Sequence, residues 1–137
     1  MKIYYAHHMY KYGTEIEKFE IELIKEKLKN CKILNPNGDI NFSNCNNGEE
    51  EMNLCYENLS SCDAIVFSSL SGIIGKGVFG EVMYANRNDK DIYYIENDEV
   101  KKVEDFKFKI LNRSNRIYAK INNIEFKKVV KKWIGMI

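Results

Sequence analysis

Gly75-Lys76-Gly77-Val78-Phe79-Gly80 spells G-x-G-x-x-G and runs straight into Glu81. Glycines at that spacing let backbone N–H groups approach an anion, and a helix opening behind them adds the positive end of its dipole. Glu81 falls in the first turn of that helix, where a carboxylate favours the helix itself by ~0.3–1 kcal/mol. Beside an anion site, the same carboxylate is also placed to attack a sugar carbon. Glu96 ends the next β-prone run at about the distance where a dinucleotide fingerprint carries its ribose-binding acid. Two features depart from that fingerprint: the loop follows the third strand rather than the first, and residues 68–74 intervene before the first glycine. A glycine loop that only turns the chain fits these residues equally well. The stretch Gly72 to Gly77 lacks the G-x-x-x-x-G-K-[ST] spacing of a P-loop.

The start of the chain offers a second group. Tyr4 and Tyr5 alternate across a strand, so only one of them faces a given side. A phenol there is either packed under a helix or donates a hydrogen bond that orients Glu81. His7 and His8 leave the strand into a loop, as solvated turn residues or as contacts to a phosphate or sugar. Lys11, Tyr12 and Thr14 surround the next helix start, another natural anion site. The four cysteines, Cys31, Cys45, Cys55 and Cys62, form no Cys-x-x-Cys pair and find no third partner beside the adjacent histidines, so no metal site is expected. Free thiols of this kind fit a reducing cytosol, and a cytoplasmic location is expected.

These residues need elements to position them. Ile3-Tyr4-Tyr5-Ala6 reads as a strand. Thr14-Glu15-Ile16-Glu17 has the form of a capping box, and Ile16, Phe19, Leu23 and Leu28 recur behind it at nearly helical spacing. Lys32-Ile33-Leu34 is a second strand, stopped by Asn35-Pro36-Asn37-Gly38. Residues 38–48 are polar and predict a surface loop, after which Met52, Cys55, Tyr56 and Leu59 mark one face of a helix. Ala64-Ile65-Val66-Phe67 is an uninterrupted apolar run, suited to a strand covered on both faces. A helix with Val78, Val82 and Ala85 inward follows the glycine loop, and Asp91-Ile92-Tyr93-Tyr94-Ile95 is a fourth strand. The order β-α-β-α-β-α-β predicts a three-layer, doubly wound, flavodoxin- or Rossmann-like sheet, parallel over its first four strands. Behind it, residues 106–111 and 116–121 alternate as strands, and Phe126, Val129, Val130, Trp133 and Ile137 mark a final helix.

The composition supports one α/β domain spanning residues 1–137. Hydrophobic residues make up 45% and charged residues 30% of the chain, the balance of an ordinary folded protein. A formal net charge of +1 provides no global field for a nucleic acid polymer or a membrane, and Lys127, Lys128, Lys131 and Lys132 read as a solvated helix face. No apolar run approaches the ~20 residues of a membrane span, and no secretory signal pattern opens the chain. In open α/β sheets, ligands bind beyond the carboxyl ends of the strands, where loops 6–13, 35–48 and 68–80 converge.

Ile3-Tyr4-Tyr5-Ala6-His7-His8, then Tyr12-Gly13-Thr14-Glu15 opening a helix, then Asn35-Pro36-Asn37, together resemble the nucleoside 2-deoxyribosyltransferase-like superfamily. Cys62-Asp63-Ala64-Ile65-Val66-Phe67 followed by Gly77-Val78-Phe79-Gly80-Glu81-Val82-Met83-Tyr84-Ala85 is similar to its arrangement of aspartate, apolar strand, glycine loop and G-x-x-x-E-x-x-x-A. The resemblance covers roughly residues 1–96. It implies that Glu81 attacks the anomeric carbon and expels the base, that Tyr4 holds the glutamate, and that water or a second base releases the sugar. Substrate binding would fall to His7, His8, Gly75, Lys76, Gly77 and Asp63, with no cofactor and no metal. The partner would be a small nucleoside or nucleotide, and the protein a homodimer or larger homo-oligomer. Two positions depart from the pattern. Cys55 stands where the superfamily commonly has an aspartate that helps handle the leaving base, and Gly75 stands where the transferases carry an acid. The second departure is shared by the 2′-deoxynucleoside 5′-phosphate N-hydrolase branch and points away from base transfer.

Two functions follow. One is an N-glycosidic hydrolase or transferase acting on a (deoxy)nucleoside or nucleotide through Glu81. The other is a non-catalytic protein that senses or sequesters an ADP-ribose-like nucleotide, which accounts for the missing aspartate.

Overall fold

A computed structural model describes residues 1–70, 72–104, 108–113 and 116–121. The chain enters through β1 (Lys2–Ala6), a single 3-10 turn (Met9–Lys11) and α1 (Glu15–Lys27). It continues through β2 (Lys32–Leu34), one helical turn α2 (Pro36–Asp39) and α3 (Gly48–Ser60). Then come β3 (Ala64–Phe67), the short β4 (Ile73–Ile74), α4 (Lys76–Arg87) and β5 (Asp91–Glu96). Strands β6 (Glu99–Lys102), β7 (Phe108–Arg113) and β8 (Arg116–Ile121) follow. The expected final helix and its lysines lie outside the described residues.

Five strands form one sheet in the order β2-β1-β3-β5-β6. The β1–β2, β1–β3 and β3–β5 pairs are parallel, and only β6 runs against its neighbour. The fold is therefore α/β with a mostly parallel sheet, consistent with a Rossmann-like arrangement. Every residue of β3 is buried, as its unbroken apolar sequence requires. One side of the sheet packs Tyr4, Ile65 and Phe67 against Cys55 and Leu59 of α3 and Val78 and Val82 of α4. The other packs Ile3, Tyr5 and Val66 against Leu23 and Ile24 of α1.

The structure departs from the sequence reading at three places. Asn97 and Asp98 both adopt positive φ, 49° and 62°, and close a two-residue turn that folds β6 back onto β5. Both central residues of such a turn must be left-handed, which Asn and Asp tolerate. Within the loop expected at 68–80, Leu70 and Ile73 exchange backbone hydrogen bonds at 3.0 and 3.1 Å, and β4 pairs with β8. Helix α1 is also rotated relative to its apolar pattern. Ile16 and Phe19, expected inward, are 55% and 51% exposed, while Glu17 and Glu20 are buried. A buried carboxylate needs paired, hydrogen-bonding partners, and the loops beside α1 supply them.

Candidate active site

From β1 the chain crosses to β2 on one side, and from β3 it crosses to β5 on the other. The carboxyl ends of β1 and β3 therefore flank the switch point where open α/β sheets leave a crevice. Tyr4, in the middle of β1, faces α3 and α4 and shares a buried cluster with Cys55, Val78 and Val82. Helix α4 opens at Lys76, so Glu81 lies in its second turn and not, as expected, in its first; it turns inward as the one acid among that helix's buried residues.

Glu81 is 6% exposed. Loss of water pushes its carboxyl up to about 7, and the Tyr4 hydroxyl opposes part of that rise. No salt bridge reaches it among the described residues. Tyr4 is fully buried, and its hydroxyl has no hydrogen-bond partner among the described residues. It lies close enough to Glu81 and Cys55 for both to act on its titration. Burial first, then the negative charge of Glu81, drives the Tyr4 phenol far above its ordinary range. The Cys55 thiol is pushed up to about 11 for the same two reasons. Tyr12 and Tyr56 are raised as well, by burial and then by Glu81. One titrating carboxylate therefore sits among phenols and a thiol that hold their protons.

Helix α4 approaches α3 closely here. A Cβ on Gly80 would stand 2.5 Å from the Tyr56 hydroxyl, so the third glycine of the motif serves helix packing rather than an anion. Tyr56 in turn stacks on Tyr84, with ring centroids 5.2 Å apart. Gly75 is the N-cap of α4, buried and without a side-chain cap, and Lys76 is exposed beside it. Gly77 follows in the first turn, where a Cβ would meet only the Met52 sulfur at 3.8 Å.

A second polar network ties the surrounding loops to α1. Glu17 accepts from the His7 ring at 2.7 Å, from the Gly13 N–H at 3.2 Å and from the Asn37 amide at 3.1 Å. Thr14 caps the helix by accepting from the Glu17 N–H, so half of the expected capping box forms. The other half is redirected, because the Glu17 carboxylate reaches Gly13 and His7 instead. Glu20 accepts from the Tyr5 hydroxyl at 2.5 Å, from Ser68 at 2.8 Å and from the Lys11 ammonium at 3.1 Å. Lys11 also donates to Ser68 and to the Ser69 carbonyl, at 2.8 and 2.9 Å. All three loops at the carboxyl edge are thereby anchored to α1.

The residues anticipated from sequence separate into groups. Tyr4 and Glu81 come together. Gly75, Lys76 and Gly77 open the helix that carries Glu81. His7 is 5% exposed, stacked on Tyr5 with centroids 3.8 Å apart, and its other ring nitrogen faces the Tyr5 carbonyl. Both nitrogens are thus engaged within the protein, and burial lowers the pKa of the ring despite Glu17. His8 caps the 3-10 turn by accepting from the Tyr10 N–H. Asp63, expected to bind substrate, lies at the opposite, amino edge of the sheet, where its carboxylate accepts from the Lys2 N–H at 2.8 Å. It joins β3 to β1 and stands apart from Glu81, because it precedes the strand whose far end carries the site. Glu96, at the β5–β6 turn, lies 3.9 Å from Lys101.

Sequence reasoning did not find Tyr12 and Tyr56 as neighbours of Glu81, nor the Glu17 and Glu20 network. The available signal was two carboxylates three residues apart on one helix face, with His7 and Lys11 just upstream. Among the described residues no group of three or more His, Cys, Asp or Glu side chains is placed to hold a metal ion. No described helix is long and apolar enough to cross a membrane. All four cysteines are free. Comparison with models of known protein families and with curated proteins gave no match to this chain.

Proposed function

We propose that this chain is an N-glycosidic hydrolase or transferase of the nucleoside 2-deoxyribosyltransferase-like superfamily, nearest its nucleotide-hydrolysing branch. The observation that carries the reading is Glu81, a buried carboxylate pushed up to about 7 and facing the unpartnered hydroxyl of Tyr4. A buried carboxyl whose titration is displaced towards neutrality marks a candidate catalytic group. Glu81 would attack C1′, Tyr4 would orient it, and the sugar would leave with retained configuration after a second displacement. Gly75, Lys76 and Gly77 at the start of α4, together with His8, would hold a phosphate or sugar hydroxyl. The burial of the sheet on both faces supports a three-layer, doubly wound arrangement around this crevice. A homodimer or larger assembly in the cytoplasm belongs to the same proposal.

The second reading, a binder that retains an intact nucleotide, is favoured by Cys55, which stands where the superfamily carries an aspartate. Purified protein incubated with nucleosides, nucleotides and ADP-ribose-type compounds, followed by mass spectrometry, separates the two. Free base released by the wild type and not by Glu81→Ala supports the enzyme. An intact nucleotide carried by both forms supports the binder.

A further inference from the structure

Lys11 belongs to the short 3-10 turn after β1, yet it is buried. An ammonium has three N–H donors, and here each has an acceptor: the Glu20 carboxylate at 3.1 Å, the Ser68 hydroxyl at 2.8 Å and the Ser69 carbonyl at 2.9 Å. Glu20 is buried with it and also holds the Tyr5 and Ser68 hydroxyls. A buried ion pair is a weak source of stability, because both charges lose their water. What it does supply is geometry, since three directional bonds fix one ammonium.

That geometry is fixed where the chain changes sides of the sheet. Tyr5 and α1 pack on one side, whereas α4 packs on the other. The segment that leaves β3 for α4 starts at Ser68, whose N–H donates to the Ala6 carbonyl at 3.1 Å. Ser69 gives its carbonyl to Lys11, while its hydroxyl accepts from the Gly72 N–H at 2.9 Å and pairs with the Tyr94 hydroxyl of β5 at 2.9 Å. Leu70 and Ile73 then bond to each other across the turn, Ile74 ends β4, and Gly75 is the N-cap of α4. A chain of hydrogen bonds and short backbone steps thus runs from α1, through Lys11, to the start of the helix that carries Glu81.

We propose that Lys11 and Glu20 are positioning residues for Glu81: their ion pair fixes the segment leaving β3, and so sets where α4 begins and where it presents the carboxylate. The inference rests on the glycosidic reading of Glu81 and adds the residues that hold the nucleophile in place from the opposite side of the sheet. A helix that starts about 1 Å out of place carries its nucleophile with it, and a displacement of that size costs on the order of 100-fold in rate.

The test removes both charges together. Lys11→Met with Glu20→Gln nearly keeps the length of each side chain, leaves neither charge buried alone, and retains a carbonyl to accept from Tyr5. The double variant should unfold later in urea than Glu20→Ala, which strands Lys11. Its kcat should nonetheless fall about 10- to 100-fold below wild type. The substrate is whichever nucleoside, nucleotide or ADP-ribose-type compound the wild type cleaves fastest. Amide hydrogen exchange at Leu70, Gly72 and Ile73 should accelerate about tenfold or more, while the amides of β1 and β3 keep wild-type rates. Wild-type kcat in the folded double variant, or unchanged exchange at that turn, would overturn this inference and leave the glycosidic reading standing. Faster exchange throughout the sheet would overturn it too, because the pair would then serve general stability. An inactive wild type would overturn the glycosidic reading and the positioning role with it. Where the double variant does not fold, Ser68→Ala decides, since it removes the hydroxyl that Lys11 and Glu20 share. It should lower kcat about threefold or more with the same local exchange, and an unchanged kcat would overturn the inference.

Discussion

Replacing Glu81 with Gln should stabilise the protein, and by an amount that grows with pH. In the folded state the carboxyl is pushed from 4.5 up to about 7, mainly by burial. The folded protein therefore holds this proton more tightly than the unfolded chain does. As pH rises from 4.5 towards 7, the unfolded state ionises first, and folding loses stability across that window. At 1.36 kcal/mol per pKa unit the full loss is about 3 kcal/mol. Gln keeps the shape of the side chain and cannot ionise, so it removes the loss. Glu81→Gln should be more stable than wild type by about 1 kcal/mol at pH 5 and about 3 kcal/mol at pH 8. Urea denaturation at the two pH values, read as a midpoint shift at constant slope, measures this directly. A gain that does not change with pH, or a loss at pH 8, would refute the reasoning, because the carboxylate would then be solvated or paired rather than stripped of water. The same variant should lose turnover, so stability and function move in opposite directions at one residue.

Turnover of the wild type should rise with pH through about 7, as Glu81 becomes the carboxylate; a profile flat from pH 5 to 9 would remove Glu81 as the nucleophile. Tyr4→Phe deletes a buried hydroxyl that has no partner, and should hold or raise stability by about 1 kcal/mol while lowering turnover. Calorimetry alongside the activity assay checks both, and a large loss of stability would mean the hydroxyl is already bonded. Glu20→Ala strands the buried Lys11 ammonium and the Tyr5 hydroxyl, and should cost about 3–5 kcal/mol by urea denaturation. Gly80→Ala drives a methyl group against the Tyr56 hydroxyl and should cost about 1–3 kcal/mol. Tyr56→Phe in the same chain should recover most of it, and simple additivity in the double-mutant cycle would deny the contact.

Much of the scaffold was legible in residue order. The apolar run 64–67 is a central strand in the structure, and the alternation of strand and helix up to residue 96 matches the parallel β2-β1-β3-β5 core. Strands were also anticipated at 106–111 and 116–121, close to β7 and β8. The hairpin to β6 was not legible, because its turn is Asn97-Asp98 rather than a glycine pair. The inward face of α1 was misread for a different reason. Hydrophobic periodicity assumes that carboxylates face water, and Glu17 and Glu20 break that assumption only because His7, Lys11, Tyr5 and Ser68 meet them inside.

The strand that carries Tyr4 was anticipated, and so was the helix that opens at the glycine loop. Those features are local or follow from chain order, so sequence alone determined them: β1 must end near β3 in a parallel sheet, and a helix starting just beyond β3 must bring its first turns back over that edge. Tertiary structure decided the rest. It placed Asp63 on the far edge of the sheet, turned His7 inward to Glu17, and set Tyr56 against Gly80. Above all it buried Glu81 among phenols and a thiol, because a carboxyl titrates near 7 only where water is removed and no cation replaces it, and that depends on every element packed around it.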